Sequence, residues 1–146
     1  MQKIVLTIFF ILAASLNVFA ICDCFEILSH RKEFRKSKAV FVGEVIKIED
    51  PKVEGREDLP DNFLSGYRIT LKVARTWKGS KSEVVIWTDG THELCAKWKF
   101  KVGEKYLVYA RKVEGILIGA EFCSRTRPVK STNSEQLKEF EELNKL

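Results

Sequence analysis

The chain has 146 residues, 25 Lys and Arg against 20 Asp and Glu, a formal net charge of +5, and four cysteines. That length fits one compact domain with a real core and leaves little room for a second. Basic and acidic residues are interleaved along the whole sequence, with no internal repeat or low-complexity run, so the charge reads as a solvated surface rather than a polyanion-binding patch.

Met1, Gln2 and Lys3 form a short positive start, Ile4 to Leu16 an apolar run, and Asn17 to Ala20 a polar-to-small exit. This pattern predicts a secretory signal peptide over residues 1–20, cleaved after Ala20. The domain of residues 21–146 is then secreted or periplasmic, with no membrane span left after cleavage. An uncleaved anchor extended through Ile21 is the alternative. Ile21 stands where lipidation of Cys22 would ask for a small residue, which argues against a lipoprotein.

Cys22 and Cys24 follow at once, separated by Asp23. Alternate residues of an extended chain point the same way, so the two thiols can run side by side, each with its own distant partner. In "FEILSHRKEFRKSK", Ile27, His30 and Phe34 fall at i, i+3 and i+7, which predicts a short amphipathic helix with His30 packed at its boundary. "AVFVGEVIKIED" is β-branched and apolar and stops at Asp50-Pro51, as a strand does before a proline. Lys52 to Gly66, rich in charge and carrying glycines and a proline, reads as a loop.

"YRITLKVAR" alternates Tyr67, Ile69, Leu71 and Val73 with polar residues, the period of a strand with one buried face. A turn at Lys78-Gly79, a strand over Glu83 to Trp87 and a stop at Asp89-Gly90 come next, and "EKYLVYARKVEGILIGAEF" predicts two strands meeting at Glu114-Gly115. In the tail, Thr132-x-x-Glu135 has the form of a capping box ahead of Leu137, Phe140 and Leu143, which predicts a terminal helix packed on the sheet. Five strands flanked by one helix on each side predict a mainly β, closed or nearly closed antiparallel barrel rather than βαβ units.

Cys22, Cys24, Cys95 and Cys123 are the whole cysteine complement, an even number in a chain addressed to an oxidising compartment, and so favour two disulfides. Sequence alone leaves three pairings open, a bond between Cys22 and Cys24 closing a small strained ring. A four-thiolate zinc site asks for close pairs at both ends, and a redox pair asks for a two-residue spacer; neither pattern is present. "THELC" starts like a zinc-protease helix, but Ala96 stands where the second histidine must be. With two histidines and no phosphate loop or serine elbow, no catalytic constellation assembles, and the expectation is a non-enzyme without a cofactor.

The "CDC" start, the helix after it, "AVFVGEV", "VARTWKGS", the lone Cys95, "KVGEKYLVYA" and "FCSRT" resemble the netrin-like domain of tissue inhibitors of metalloproteinases over Ile21 to Arg127, in the short single-domain form of bacterial members. The resemblance implies a five-stranded OB-fold barrel and the pairs Cys22 with Cys95 and Cys24 with Cys123. It further implies that the α-amine and carbonyl of Cys22 chelate the zinc of a target protease when Cys22 is the mature N-terminus. Asp23 would then enter the specificity pocket, and Glu93, Leu94 and Ala96 would extend the contact ridge. The partner implied is a zinc metalloprotease or another extracellular protein; a monomer is expected, and although the fold suits single-stranded nucleic acid, the leader argues against it. The alternative is a non-inhibitory protein- or glycan-binding module of the same fold, for which the Lys52 to Gly66 loop and Trp77, Trp87 and Trp98 are the candidate surfaces, unless those rings serve as packing.

Overall fold

The computed structural model describes residues 22, 24, 27–50, 66–79, 82–89, 95, 98–121, 123–130 and 133–146. The leader, Asp23, Glu93, Leu94, Ala96 and all of the Lys52–Gly66 segment except Gly66 lie outside the described residues. In chain order the elements are α1 (His30–Lys36), β1 (Ala39–Glu49), β2 (Arg68–Lys78), β3 (Glu83–Thr88), β4 (Lys105–Val113), β5 (Ile116–Ala120), β6 (Arg127–Pro128) and α2 (Ser134–Leu143).

The unbroken apolar runs at the start of β1 and in β4 have a simple cause: both strands are buried on both faces. Ala39, Phe41 and Val45 of β1 point inward with Tyr106, Val108 and Ala110 of β4, where Ile69, Leu71, Val84 and Ile86 complete the core. Val40 and Val42 point outward with Leu107 and Tyr109, and Leu143, Phe140, Phe34 and Trp77 cover them. Each such large aliphatic or aromatic side chain contributes roughly 1.5–3 kcal/mol by leaving water. The helices therefore sit on the β1–β4 wall because that wall is apolar on its outside.

The sheet runs β1-β2-β3-β5-β4-β6, and antiparallel pairing of β1 with β4 closes the first five of these into a barrel of the OB type, with the two-residue β6 added on β4. Register shifts between Val40 and Phe41, Val42 and Gly43, and Val45 and Lys47 bend β1 so that it can serve two neighbours. One pairing departs from the all-antiparallel expectation: β3 and β5 run parallel, Trp87 beside Ile118 and Thr88 beside Ala120. The β4–β5 hairpin forces this, because β4 must lie antiparallel to β1 and so delivers β5 in the direction of β3. The hairpin turns at Glu114 (φ 50) and Gly115 (φ 88), two successive left-handed residues of the kind that match strand twist.

Both helices differ in detail from the sequence expectation. α1 begins only at His30, so Ile27 precedes it and is exposed, while Glu33 is the helical residue that is turned inward and buried. α2 is capped by Asn133, whose side chain accepts from the backbone of Glu135 and Gln136, one residue after the expected Thr132. Its buried face is Gln136, Glu139 and Leu143, and Leu137 is 53 % exposed. No helix among the described residues is long and apolar enough to cross a membrane.

Candidate functional site

Because β3 and β5 are parallel, they leave the barrel at the same end. Cys95 follows the end of β3, Cys123 follows the end of β5, and the Asp89 amide donating to the Ala120 carbonyl at 3.3 Å ties those two exits together. Cys22 is bonded to Cys95 and Cys24 to Cys123, with Cα–Cα distances of 5.2 and 5.5 Å. The two bridges thus tie Cys22 and Cys24, the strap, to one end of the barrel. They are one of the three pairings open from the sequence and the one that the resemblance implies. Cys22 stays exposed while Cys24, Cys95 and Cys123 are half-buried. The loops closed span 73 and 99 residues, and each bond stabilises by roughly 4 kcal/mol in the chain-entropy picture.

A second device holds the strap and α2 to the wall. Glu139, buried on α2, accepts from the Tyr109 hydroxyl at 2.5 Å and from Arg125 Nε and an Arg125 terminal nitrogen at 3.2 and 3.1 Å, and it also pairs with Arg127. Arg125 reaches the Leu28 carbonyl at 3.3 Å, joining the chain that leaves the strap to the chain that leaves Cys123. Burial by itself raises the Glu139 carboxyl, but hydrogen bonds from Arg125 and Tyr109 and the two guanidinium charges outweigh it and hold it below the usual carboxylate value. Burial pushes the Tyr109 hydroxyl well up, and the bond to Glu139 pushes it further.

No protein-family model matches the chain, and no curated protein matches it. What the site can do must therefore be read from its own groups. Among the described residues no three His, Cys, Asp or Glu side chains gather as metal ligands. A polar cleft of about 610 Å³ opens where α2 meets α1, and Glu139, Arg125 and Arg127 form its floor. At its edge His30 Nε2 lies 2.6 Å from Glu142 Oε2, without hydrogen-bond geometry. Of these groups, Glu139 with its two arginines fastens α2 to the chain that follows Cys123.

The tryptophans divide in the same way. Trp77 stacks on Phe140 at 5.3 Å with Arg75 over its ring, and Trp98 packs edge-on to Phe100 at 5.1 Å. Beside Phe100 a shallow apolar groove of about 230 Å³ runs between Ile48, Tyr67 and Lys99. Tyr106 closes the barrel beneath, its hydroxyl pushed up to about 12 by burial and by the bond to Glu104. The Glu139 cluster was not among the sequence candidates. Its one signal is the alternation in "RTR", which places Arg125 and Arg127 on the same side of an extended chain.

Proposed function

We propose that the protein is exported, loses residues 1–20, and inhibits a zinc metalloendopeptidase without turning over a substrate, as a short netrin-like module whose Cys22–Cys24 strap is the contact edge. The observation that carries this is the pair of bridges landing at one end of the barrel with Cys22 exposed. A strap held at two points has little conformational freedom left to lose on docking, and that saving is what a wedge-like inhibitor needs. The Cys22 amine and carbonyl would face the metal, with Asp23 entering the pocket and Glu93, Leu94 and Ala96 alongside.

A second reading is favoured by two features of the sequence. Cleavage after Ala20 leaves Ile21 ahead of Cys22, adding about 3.5 Å of chain and moving the α-amine away from a chelating position. Asp23 would also bring a carboxylate into a protease pocket, which is costly unless a partner meets it. A chain starting at Ile21 is a non-inhibitory binding module that uses the same edge to grip a protein or glycan.

The intact mass of the exported protein, with and without reduction and alkylation, separates the two. A start at Cys22 with two bridges, together with stoichiometric inhibition of thermolysin-type or collagenase-type endopeptidases that is lost on α-amine acetylation, establishes the inhibitor. A start at Ile21, or inhibition indifferent to acetylation, overturns it.

A further inference from the structure

The interleaved charge of the sequence does not survive folding at α1. The only acid of that helix, Glu33, is 1 % exposed and faces the barrel, where Arg111 stands 3.6 Å away. Arg31, Lys32, Arg35 and Lys36 are all exposed. At 100° per residue these four fall within an arc of about 140°, so the solvent face of α1 is cationic throughout. Lys38 is exposed just beyond the helix, and Lys78 Nζ is held at the helix end by the Phe34 and Arg35 carbonyls at 3.1 and 3.5 Å. The side chains of Arg31, Arg35, Lys36 and Lys38 make no ion pair among the described residues.

For the helix alone this arrangement is unfavourable. Arg31 with Arg35 and Lys32 with Lys36 are like charges at i, i+4, a repulsion that the helix dipole does not relieve, since it favours Arg35 and Lys36 in the last turn but disfavours Arg31 and Lys32 in the first. Solubility would be served as well by mixed charge. A face of a single sign is what a multivalent anion recognises, since clustered cations sum their potentials.

We infer that the outer face of α1, extended by Lys38 and Lys78, is a docking surface for a linear acidic polysaccharide. A lipid surface is a poorer match, because an interfacial helix sinks apolar side chains into the acyl boundary, whereas Phe34 of α1 is turned onto the barrel wall and no apolar residue interrupts the cationic arc. The two arginines can each grip a sulfate or carboxylate through paired donors, and the lysines add charge along the row. The surface is independent of the strap, so it stands whether or not Cys22 meets a protease.

The test is a fluorescence-anisotropy titration of the full disulfide-bonded protein with labelled dextran sulfate, with neutral dextran and phosphatidylglycerol vesicles run beside it. The triple variant R31Q/R35Q/K36Q is compared with K72Q/K105Q/K130Q, which removes the same charge from exposed residues near the opposite end of β1 and β4. The expected result is salt-sensitive binding of dextran sulfate, weakened about tenfold or more by the first triple and less than about twofold by the second. Lys38→Gln, outside the helix and so without effect on its folding, should weaken binding about twofold. Equal losses from the two triples would reduce the effect to net charge and overturn the inference. Binding to the vesicles without binding to dextran sulfate would overturn it too.

Discussion

Glu139 shows how a buried charge can hold a small barrel together. Four donors on three side chains converge on one carboxylate, and its folded-state pKa lies below the ordinary value of 4.5. The sign follows from linkage: stability from a depressed carboxyl is complete above its unfolded-state pKa and is lost as pH falls through the folded-state one. Thermal midpoints of the native protein should therefore drop below about pH 4.5, and Glu139→Gln should flatten that part of the profile. At neutral pH the same substitution strands Arg125 and Arg127 and should cost roughly 3–5 kcal/mol in denaturant unfolding. Glu121 behaves oppositely. Burial raises its carboxyl, Arg111 at 2.7 Å opposes this, and the charges of Asp89 and Glu33 add to the rise. A raised folded-state value means that the charged form costs stability at pH 7 and that this cost fades as pH falls toward the unfolded value. Glu121→Gln should thus leave the thermal midpoint at pH 7 unchanged or higher, an advantage that disappears in acid; a lower midpoint at pH 7 would show that the Arg111 pair outweighs burial. None of this was legible in the sequence, because Tyr109, Arg125 and Glu139 meet only through the fold.

At the scale of elements, the strands were the legible part. Alternation marked Ile69 and Leu71 as inward-facing, the Glu114-Gly115 pair marked a two-residue hairpin, and Pro51 marked the end of β1. The helices were read less well for a physical reason. A hydrophobic pattern assigns the buried face to apolar residues, but α2 buries Gln136 and Glu139 because partners elsewhere satisfy them. Gln136 donates to the Pro128 carbonyl at 2.7 Å and accepts from the Lys130 amide at 2.8 Å, bonds that hold the two-residue strand β6 beside it. The far end of α2 is fixed likewise, the Asn144 side chain accepting from Arg75 at 2.7 Å and from Trp77 at 2.9 Å. Asn133→Ala removes the N-cap acceptor and should cost about 1 kcal/mol, with Thr132→Ala, one residue earlier, as the comparison. In β5, a Cβ at Gly119 would run into the Ile86 side chain of β3. Gly119→Ala should cost about 1–3 kcal/mol through overpacking at the pairing that closes the barrel. A smaller loss would mean that Ile86 can move aside.

The whole molecule separates two tasks that the sequence alone could not assign. Barrel closure rests on β1 with β4 and β3 with β5, both pairings made among described residues without the help of any cysteine. The disulfides act on the strap: they connect Cys22 and Cys24 to the end where β3 and β5 finish. The cysteine count made two bridges readable, but their convergence was not, because it depends on β3 and β5 being parallel. It follows that loss of either bond should cost similar stability but affect strap order differently. The double variant Cys22→Ser/Cys95→Ser should lose roughly 4 kcal/mol, a fall in thermal midpoint on the order of 15 °C, while keeping the strand signature in circular dichroism. Cys24→Ser/Cys123→Ser removes a loop of similar entropic weight but leaves the outer bridge, so its stability loss should match within about 1 kcal/mol. The two should part at the strap, where limited proteolysis between residues 20 and 27 should be faster in the first variant, whose N-terminal end is freed, than in the second, which stays bonded at Cys22. Loss of the barrel signal in either would mean that the bridges close the fold as well as pin the strap.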